Sequence, residues 1–231
     1  MSNTKEELMT IRYEIDGNEV KLSPAIVKNY ISGGADLTDQ EYKFFVEICK
    51  VRKLNPFLKE VYAIKYGNQQ AQIVVGKDAI LKRAVKHPKF NGREQGIIIV
   101  DKDGKIVERN GSFRLGTETL VGGWARVYRK DWEHATYISV SLADVAQKKS
   151  DGTLNSQWLN HAETMVEKVA LVRALRETFV EDLGGMIDED EVWKDVEPRT
   201  PVTPTKKQAD VIDVQPETLA DIMNLDDIDG L

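Results

Sequence analysis

The stretch LNPFLKEVYAIKYGNQQAQIVVGKDAILKRAVKHPKF, residues 54–90, changes its hydrophobic period along its length. EVYAIKY alternates apolar and polar residues, Gly67-Asn68 supplies a turn, and AQIVV follows as a second apolar segment, which together predict a β-hairpin. From Asp78 to Val85 the apolar residues recur at helical spacing, and Pro88 ends that segment. The stretch therefore predicts a hairpin followed by a helix, so this chain mixes both kinds of element.

The residues before this stretch predict a second helix and an N-terminal arm. Thr38 and Glu41 form a capping box ahead of the apolar run FFVEICKVRKL, which is typical of a helix start. Residues 1–36 predict an arm with one weak helix that begins at Ser23-Pro24.

The residues after the stretch predict an antiparallel meander. GIIIV and KIVER flank the turn DKDGK, and SFRLG, WARVYRKD and HATYISVSL follow as further strand segments. A long helix is predicted from Asn155 to Leu183, where Gly184-Gly185 stops it. The predicted class is α+β: an antiparallel β-meander with helices packed on one side, including one long C-terminal core helix.

Charge is distributed unevenly along the chain. The formal charge is −6, yet residues 37–180 carry 24 basic and 17 acidic groups, while residues 181–231 carry four basic and fifteen acidic groups. Within residues 50–93, eleven Lys and Arg accompany only two acidic residues. A surface that merely keeps a protein soluble mixes both signs, so this excess predicts a body that binds a polyanion.

Several classes of protein are disfavoured by motifs that the sequence lacks. It shows neither an apolar signal-peptide core nor an apolar run of about 20 residues, so we expect a soluble cytoplasmic protein that does not enter the membrane. The single cysteine, Cys49, lies in the apolar run FFVEIC, which predicts a core residue and excludes an internal disulfide. Gly76-Lys77 is followed by Asp78 instead of Ser or Thr, so it does not form a P-loop. We expect no cofactor and no metal.

One catalytic pattern is weighed against a turn. Asp103-Gly104-Lys105 resembles the end of a metal-dependent nuclease site, where carboxylates hold an ion and a lysine steadies water. The same residues between two β-branched runs are ordinary hairpin-turn chemistry, and we favour the turn.

Basic residues in three segments are candidates for phosphate contacts. Lys82, Arg83 and Lys86 share one helix face. WARVYRKD places Trp124, Arg126, Tyr128 and Lys130 on one strand face, which is typical either of a single-strand DNA platform or of a half-exposed strand packed on a helix.

On the predicted long helix, Arg173 has Glu177 four residues on as a local partner. Lys168 and Arg176 have no acidic residue three or four positions away. The sequence leaves two partners open for them: a phosphate, or an acid from elsewhere in the fold.

The ordered motifs resemble a known family. LNPFLKEVYAIKY, IVVGKDAILKRA, a Phe-Asn-Gly, ARVYRKD, and then Trp158 leading to Arg176 and Phe179 resemble the RecT/Red beta family of phage single-strand annealing proteins. The resemblance spans roughly residues 39–190. It implies a protein, not an enzyme, that binds single-stranded DNA, assembles into oligomeric rings or helical filaments and anneals complementary strands without ATP in homologous recombination.

The resemblance also implies residue roles and partners. The partners are single-stranded DNA and annealed duplex DNA, further copies of the chain, a 5′ to 3′ exonuclease and the host single-strand-binding protein. Trp124 and Tyr128 are the candidate residues for base stacking. The candidate phosphate contacts are Lys65, Lys77, Lys82, Lys86, Arg126, Lys168, Arg173 and Arg176.

The chain is accordingly divided into an N-terminal arm (1–36), a DNA-binding annealing core (37–190), and an acidic linker and tail (191–231). The arm is a candidate oligomer interface, and the tail either recruits partners or is disordered. We also expect the tail to cover the basic groove when DNA is absent. Two alternative functions stay open: a metal-dependent nuclease, and a protective single-strand-binding protein that does not anneal.

Overall fold

A computed structural model describes residues 9–67, 69–149 and 151–188, which contain eight strands in three antiparallel sheets and seven α-helical segments. The strands are β1 (Ile11–Ile15), β2 (Asn18–Leu22), β3 (Val61–Ile64), β4 (Gln72–Val75), β5 (Phe90–Val100), β6 (Ile106–Asn110), β7 (Thr119–Arg129) and β8 (Thr136–Ser141). The helices are α1 (Pro24–Ile26), α2 (Asp39–Val51), α3 (Lys77–Lys86), α4 (Leu142–Val145), α5 (Ser156–Asn160), α6 (Ala162–Thr178) and α7 (Val180–Leu183). The predicted α+β class with antiparallel sheets is confirmed. The acidic linker and tail lie outside the described residues.

The N-terminal arm contains a hairpin that the sequence prediction missed. β1 and β2 pair antiparallel around Asp16-Gly17, whose φ angles of 47° and 79° are left-handed. Tyr13 and Leu22 of this hairpin are buried, and the Tyr13 hydroxyl donates to the carbonyl oxygen of Leu54 at 2.9 Å. The predicted helix start is confirmed, because the Ser23 hydroxyl accepts from the backbone N–H of Ile26 at 3.3 Å. This helix continues as a π-helical segment over Val27–Ile31.

The capping box of α2 is confirmed. The Thr38 hydroxyl accepts from the Glu41 backbone N–H at 3.2 Å, and the Glu41 carboxylate accepts from the Thr38 N–H at 2.7 Å. Phe45, Val46 and Cys49 of this helix are fully buried, as expected for the apolar run.

The four-stranded sheet has the order β6-β5-β7-β8, so the predicted simple meander is wrong. The segment SFRLG is a loop, and the chain crosses over so that β7 pairs with β5, with Trp124 opposite Gly96. A bidentate pair between Arg109 and Glu118, with N–O distances of 2.6 and 2.7 Å, fastens the two ends of this loop together. Arg114 inside the loop is held by Glu163 at 2.7 Å.

The predicted single long helix is also wrong, because three helices, α5, α6 and α7, occupy that stretch. His161 has φ −138° and ψ 33° between α5 and α6, and Phe179 has φ −125° and ψ 50° between α6 and α7. The Phe179 ring is fully buried and lies 4.8 Å from the His87 ring. The helix therefore breaks at the residue whose ring is buried, although the sequence has no Gly or Pro at this position that would predict a break.

Helix α6 packs directly on β7. A Cβ atom added at Gly123 would lie 2.5 Å from both the carbonyl carbon and the carbonyl oxygen of Val166. The glycine therefore lets the helix backbone approach the sheet closely, which fixes the position of every side chain on α6 relative to β7 and β8.

Three arginines bind backbone carbonyl groups at the end of α6 and in the chain that follows it. Arg52 donates to the oxygens of Asp182 at 3.1 Å and Gly184 at 2.8 Å. Arg129 donates to Thr178 at 2.7 Å. Arg176 donates to Met186 at 2.7 Å. The contacts to Thr178, Asp182 and Gly184 satisfy carbonyl groups at helix ends that the helices themselves leave unpaired.

Within the described ranges, no helix has both the length and the apolar composition to cross a membrane.

Candidate nucleic-acid interface

Helix α3 presents part of the predicted basic face, because Arg83 is half-buried and donates to the carbonyl oxygen of Arg52. Ile80 and Ala84 are buried, whereas Lys82 and Lys86 are exposed on the opposite side. Lys77 occupies the first turn and is half-buried.

Two of these lysines have carboxylate partners. The Lys82 ammonium lies 2.7 Å from the buried Glu60, and this hydrogen bond raises the pKa of Lys82. The Lys86 ammonium lies 3.6 Å from the exposed Asp16 at the tip of the β1–β2 hairpin. Exposed ion pairs contribute only about 0–1 kcal/mol, so a phosphate can replace Asp16 at little cost.

A pocket of about 280 Å³, here called the α3 pocket, opens beside these lysines. Its floor is formed by the buried Leu54 and Ala79, and its exposed rim includes Lys53, Lys82 and Lys86.

A second and wider depression, here called the α6–β8 groove, has a volume of about 810 Å³. Arg173, Arg176 and the acidic Glu177 of α6 form one wall, and Ile138 and Ser139 of β8 form another. Val180 and the Gly184-Gly185 segment complete the lining. The sequence predicts both arginines as phosphate contacts, and the fold brings them together beside the edge strand β8 of the four-stranded sheet.

The sequence left either a phosphate or an acid as the partner of Lys168 and Arg176, and the structure shows the partner of Lys168. The Lys168 ammonium lies 3.0 Å from Asp188, and the two side chains are only 12% and 2% exposed. An acid from elsewhere in the fold therefore meets Lys168. Arg176 donates to the Met186 carbonyl and still lines the α6–β8 groove.

Lys65 forms a largely buried ion pair with Glu41. Its ammonium lies 2.8 Å from the Glu41 carboxylate, and the side chains are 13% and 11% exposed. Burial raises the pKa of Glu41, but hydrogen bonds from Lys65 and from the backbone N–H groups of Thr38 and Ala71 outweigh it and lower this pKa to about 2. This pair ties the β3–β4 hairpin to the start of α2.

The strand face of β7 does not present Trp124 to solvent. Trp124 is 2% exposed, and the Arg126 guanidinium lies 4.9 Å from the centre of its ring. The Tyr137 ring lies 5.0 Å from the same guanidinium and its centre lies 6.5 Å from that of Trp124, so Arg126 contacts both rings of a stacked pair. A base could stack on Trp124 only if this cover moved.

Arg126 is further surrounded by carboxylates. Glu108 lies 3.1 Å away, Glu94 lies 3.8 Å away, and Glu108 also accepts from the Tyr137 hydroxyl at 2.6 Å. Tyr137 is 41% exposed and was missed by sequence reasoning. Tyr137 lies opposite Arg126 in the β7–β8 register, so the two side chains share one face, but this pairing cannot be recognised before the strands are placed. Tyr128, the other stacking candidate, is half-buried on the same strand as Trp124.

Asp103 and Lys105 belong to a turn, as favoured. The Asp101 carboxylate accepts from the backbone N–H groups of both residues at 2.9 Å, and Gly104 has a φ of 78°. Across the described part of the chain, no group of three or more His, Cys, Asp or Glu side chains is arranged to hold a metal ion.

Comparison with known proteins gives consistent matches. The sequence model of the RecT family matches residues 18–204. The chain is 22% identical over 194 residues to the recombination protein bet of Escherichia phage lambda, covering 82% of this chain and 66% of that protein. It is 29% identical over 134 residues to an uncharacterized protein of Ureaplasma parvum serovar 3, covering 57% of this chain and 50% of that protein. The chain thus spans between half and two thirds of the length of these relatives.

Proposed function

This chain belongs to the RecT family, and on that premise we propose that it is a single-strand annealing protein of phage recombination. It binds single-stranded DNA through backbone contacts and promotes pairing of complementary strands without ATP. The relative from phage lambda is named a recombination protein, which supports the assignment to recombination. The proposed activity takes place in the cytoplasm and neither makes nor breaks a covalent bond.

The observation that carries the proposal is the α6–β8 groove. Arg173 and Arg176 lie three residues apart on α6, which separates their Cα atoms by about 4.5 Å along the helix axis. A flexible polyanion can therefore contact both arginines at once. The neighbouring Gly184-Gly185 backbone has no side chains to keep a phosphate away.

The basic face of α3 supplies the second part of the proposed DNA surface. We assign phosphate contacts there to Lys77, Lys82 and Lys86, and base stacking to the partly exposed Tyr128 and Tyr137. Lys65 and Lys168 remain candidates only if DNA displaces their carboxylate partners. Because such near-buried pairs are costly to break, we expect them to act in folding instead.

Annealing by such a surface does not require ATP hydrolysis. Two DNA strands repel each other through their phosphates, and cations that neutralise one strand lower the barrier to meeting the second. Pairing then provides the driving force, since duplex stacking contributes about 1.4 kcal/mol per base-pair step. Sequence fidelity comes from base pairing and not from side chains that read bases.

We further propose that the protein assembles with itself into a ring or helical filament. A head-to-tail interface that does not close on itself generates such a filament, and the N-terminal arm is a candidate for part of it. A 5′ to 3′ exonuclease that produces single strands and the host single-strand-binding protein are the proposed partners.

The test is the rate at which two complementary dye-labelled oligonucleotides pair, measured with chelator and without ATP. We expect acceleration that declines as salt rises, because phosphate contacts release counterions. Strands that are bound and intact but pair more slowly would indicate a protective single-strand-binding protein. Degradation that appears only when magnesium replaces the chelator would indicate a nuclease.

A further inference from the structure

The α3 pocket is large enough for a small anionic group. Its volume of about 280 Å³ lies just below the usual range of about 300–1,000 Å³ for small-molecule sites. Its buried lining combines apolar side chains with the carboxylate of Glu60, and exposed charged side chains form its rim. These dimensions suit a terminal group and not a continuous length of DNA.

The charges that line the pocket nearly balance in the free protein. Lys53, Lys82, Arg83 and Lys86 supply four positive charges, and Asp16, Glu60 and Asp182 supply three negative ones. His87 also lines the pocket and lies 3.5 Å from Glu181 and 3.9 Å from Asp182. When His87 is neutral and a ligand displaces the exposed Asp16, four positive and two negative side chains remain around the pocket, which is a net charge of about +2.

The four cations are not equally available. Lys82 is fixed by the buried Glu60, and the Arg83 guanidinium donates to the carbonyl oxygen of Arg52. Lys86 is held only loosely by Asp16, 3.6 Å away. For the Lys53 ammonium, the described residues provide no hydrogen bond and no ion pair.

The backbone at Lys53 adopts a conformation that glycine favours. Its φ is 48°, in the left-handed region, just after the end of α2, and the backbone N–H of Leu54 closes the turn onto Cys49 at 2.8 Å. Glycine is the preferred residue at this position, and a residue with a Cβ atom costs on the order of 1 kcal/mol there. The chain carries a lysine instead, and this lysine lies on the rim of the pocket.

We propose that the α3 pocket binds a phosphomonoester dianion, either the terminal phosphate of a DNA strand or the phosphate of a free mononucleotide. A terminal phosphate carries up to two charges near pH 7, whereas each internal phosphodiester of DNA carries one. The charge of about +2 that remains after Asp16 is displaced matches the dianion. Lys53 and Lys86 bind the phosphate, and Glu60 keeps Lys82 in place beside it. For a DNA-borne phosphate this inference rests on the proposed function.

The structure offers a matched pair of variants for the test. Lys53→Gly removes the rim ammonium, and glycine adopts the left-handed backbone without strain, so the variant should remain folded. Lys59→Gly is the control, because Lys59 also has a left-handed φ, of 57°, and loses the same charge but does not line the pocket.

The first measurement is fluorescence anisotropy of short oligonucleotides with a 5′-phosphate, a 3′-phosphate or hydroxyl groups at both ends. We expect one phosphorylated end to bind about tenfold more tightly than the hydroxyl-ended strand, equivalent to about 1.4 kcal/mol. Lys53→Gly should abolish this preference and leave the affinity for the hydroxyl-ended strand unchanged, while Lys59→Gly should retain the preference.

The second measurement is thermal denaturation of the full chain with dAMP and without DNA. Stabilisation of the parent chain by dAMP that is absent in Lys53→Gly, without any end preference, would support the pocket with a free nucleotide as its source. Equal affinity for all three oligonucleotides together with no effect of dAMP would overturn the inference. Failure to bind any DNA, with dAMP stabilisation intact, would overturn the proposed function and leave the pocket assignment standing.

Discussion

Replacing Gly123 by alanine tests the close approach of α6 to the sheet. The added Cβ atom would lie 2.5 Å from the carbonyl carbon and oxygen of Val166 and 2.9 Å from the backbone nitrogen of Glu167. Ordinary contacts lie at about 3.5–4.0 Å, so the helix must withdraw by about 1 Å. The atoms in the way are backbone atoms of a helix, which cannot rotate aside as a side chain would.

The expected cost lies at the upper end of what overpacking produces. Inserting one carbon into a packed core costs about 1–3 kcal/mol, and we expect about 3 kcal/mol here. For a protein of 150–250 residues this lowers Tm by about 6–12 °C. DNA binding should also weaken, because α6 carries both arginines of the α6–β8 groove.

Urea denaturation with and without the substitution measures this effect. Gly116→Ala is the matched control, because no atom lies within 4 Å of its added Cβ and its φ is not left-handed. The control should change the free energy of unfolding by less than about 0.5 kcal/mol. A Gly123→Ala variant as stable as the control would refute the close helix–sheet contact.

Three further outcomes are expected. Arg173→Gln should reduce the slope of log K against log salt, where K is the binding constant for single-stranded DNA, by about 0.7. Lys102→Gln, in the exposed β5–β6 turn, is the control and should leave the slope unchanged. Equal slopes for the two variants would show that Arg173 does not contact DNA. Glu41→Gln should cost about 3 kcal/mol at neutral pH by leaving Lys65 without its carboxylate. The pKa of Glu41 is lowered from 4.5 to about 2, so this stabilisation is complete above pH 4.5 and should disappear as the pH falls to 2. Urea titrations of the parent chain and the variant at several pH values measure it. A difference in the free energy of unfolding that does not change with pH would contradict the prediction. Removing residues 195–231, which carry nine acidic and three basic groups, should strengthen DNA binding at low salt, and unchanged or weaker binding would show that the tail does not compete with DNA.

Local signals predicted the elements better than their arrangement. The capping box at Thr38 and the helix α3 depend on residues three or four apart, and both were predicted correctly. The faces of α3 were predicted only in part, because Val85 is 52% exposed and Arg83 is half-buried. The order of β7 and β5 depends on a loop fastened by Arg109 and Glu118, a pair that cannot be recognised before the strands are placed. The β1–β2 hairpin had a usable local signal that was overlooked, since Asp16-Gly17 lies between two alternating segments.

The candidate site shows the same division. Arg173 and Arg176 were each predicted as phosphate contacts, and both line the α6–β8 groove. Lys168 pairs with Asp188 and Lys65 pairs with Glu41, and each partner is 20 or more residues away in sequence. Local spacing therefore could not predict these ion pairs. The covering of Trp124 by Arg126 likewise depends on Tyr137, which comes from a different strand.

The contact between Arg52 and the chain after α6 has a consequence for synthesis on the ribosome. The carbonyl groups that Arg52 binds lie 130 and 132 residues further along the chain. At about 5–20 residues per second, roughly 7–26 s pass between the emergence of Arg52 and that of its partners. During this interval the end of α2 lacks the segment that completes its surroundings, so the nascent chain stays exposed to proteases and to association with its neighbours until residue 184 has emerged.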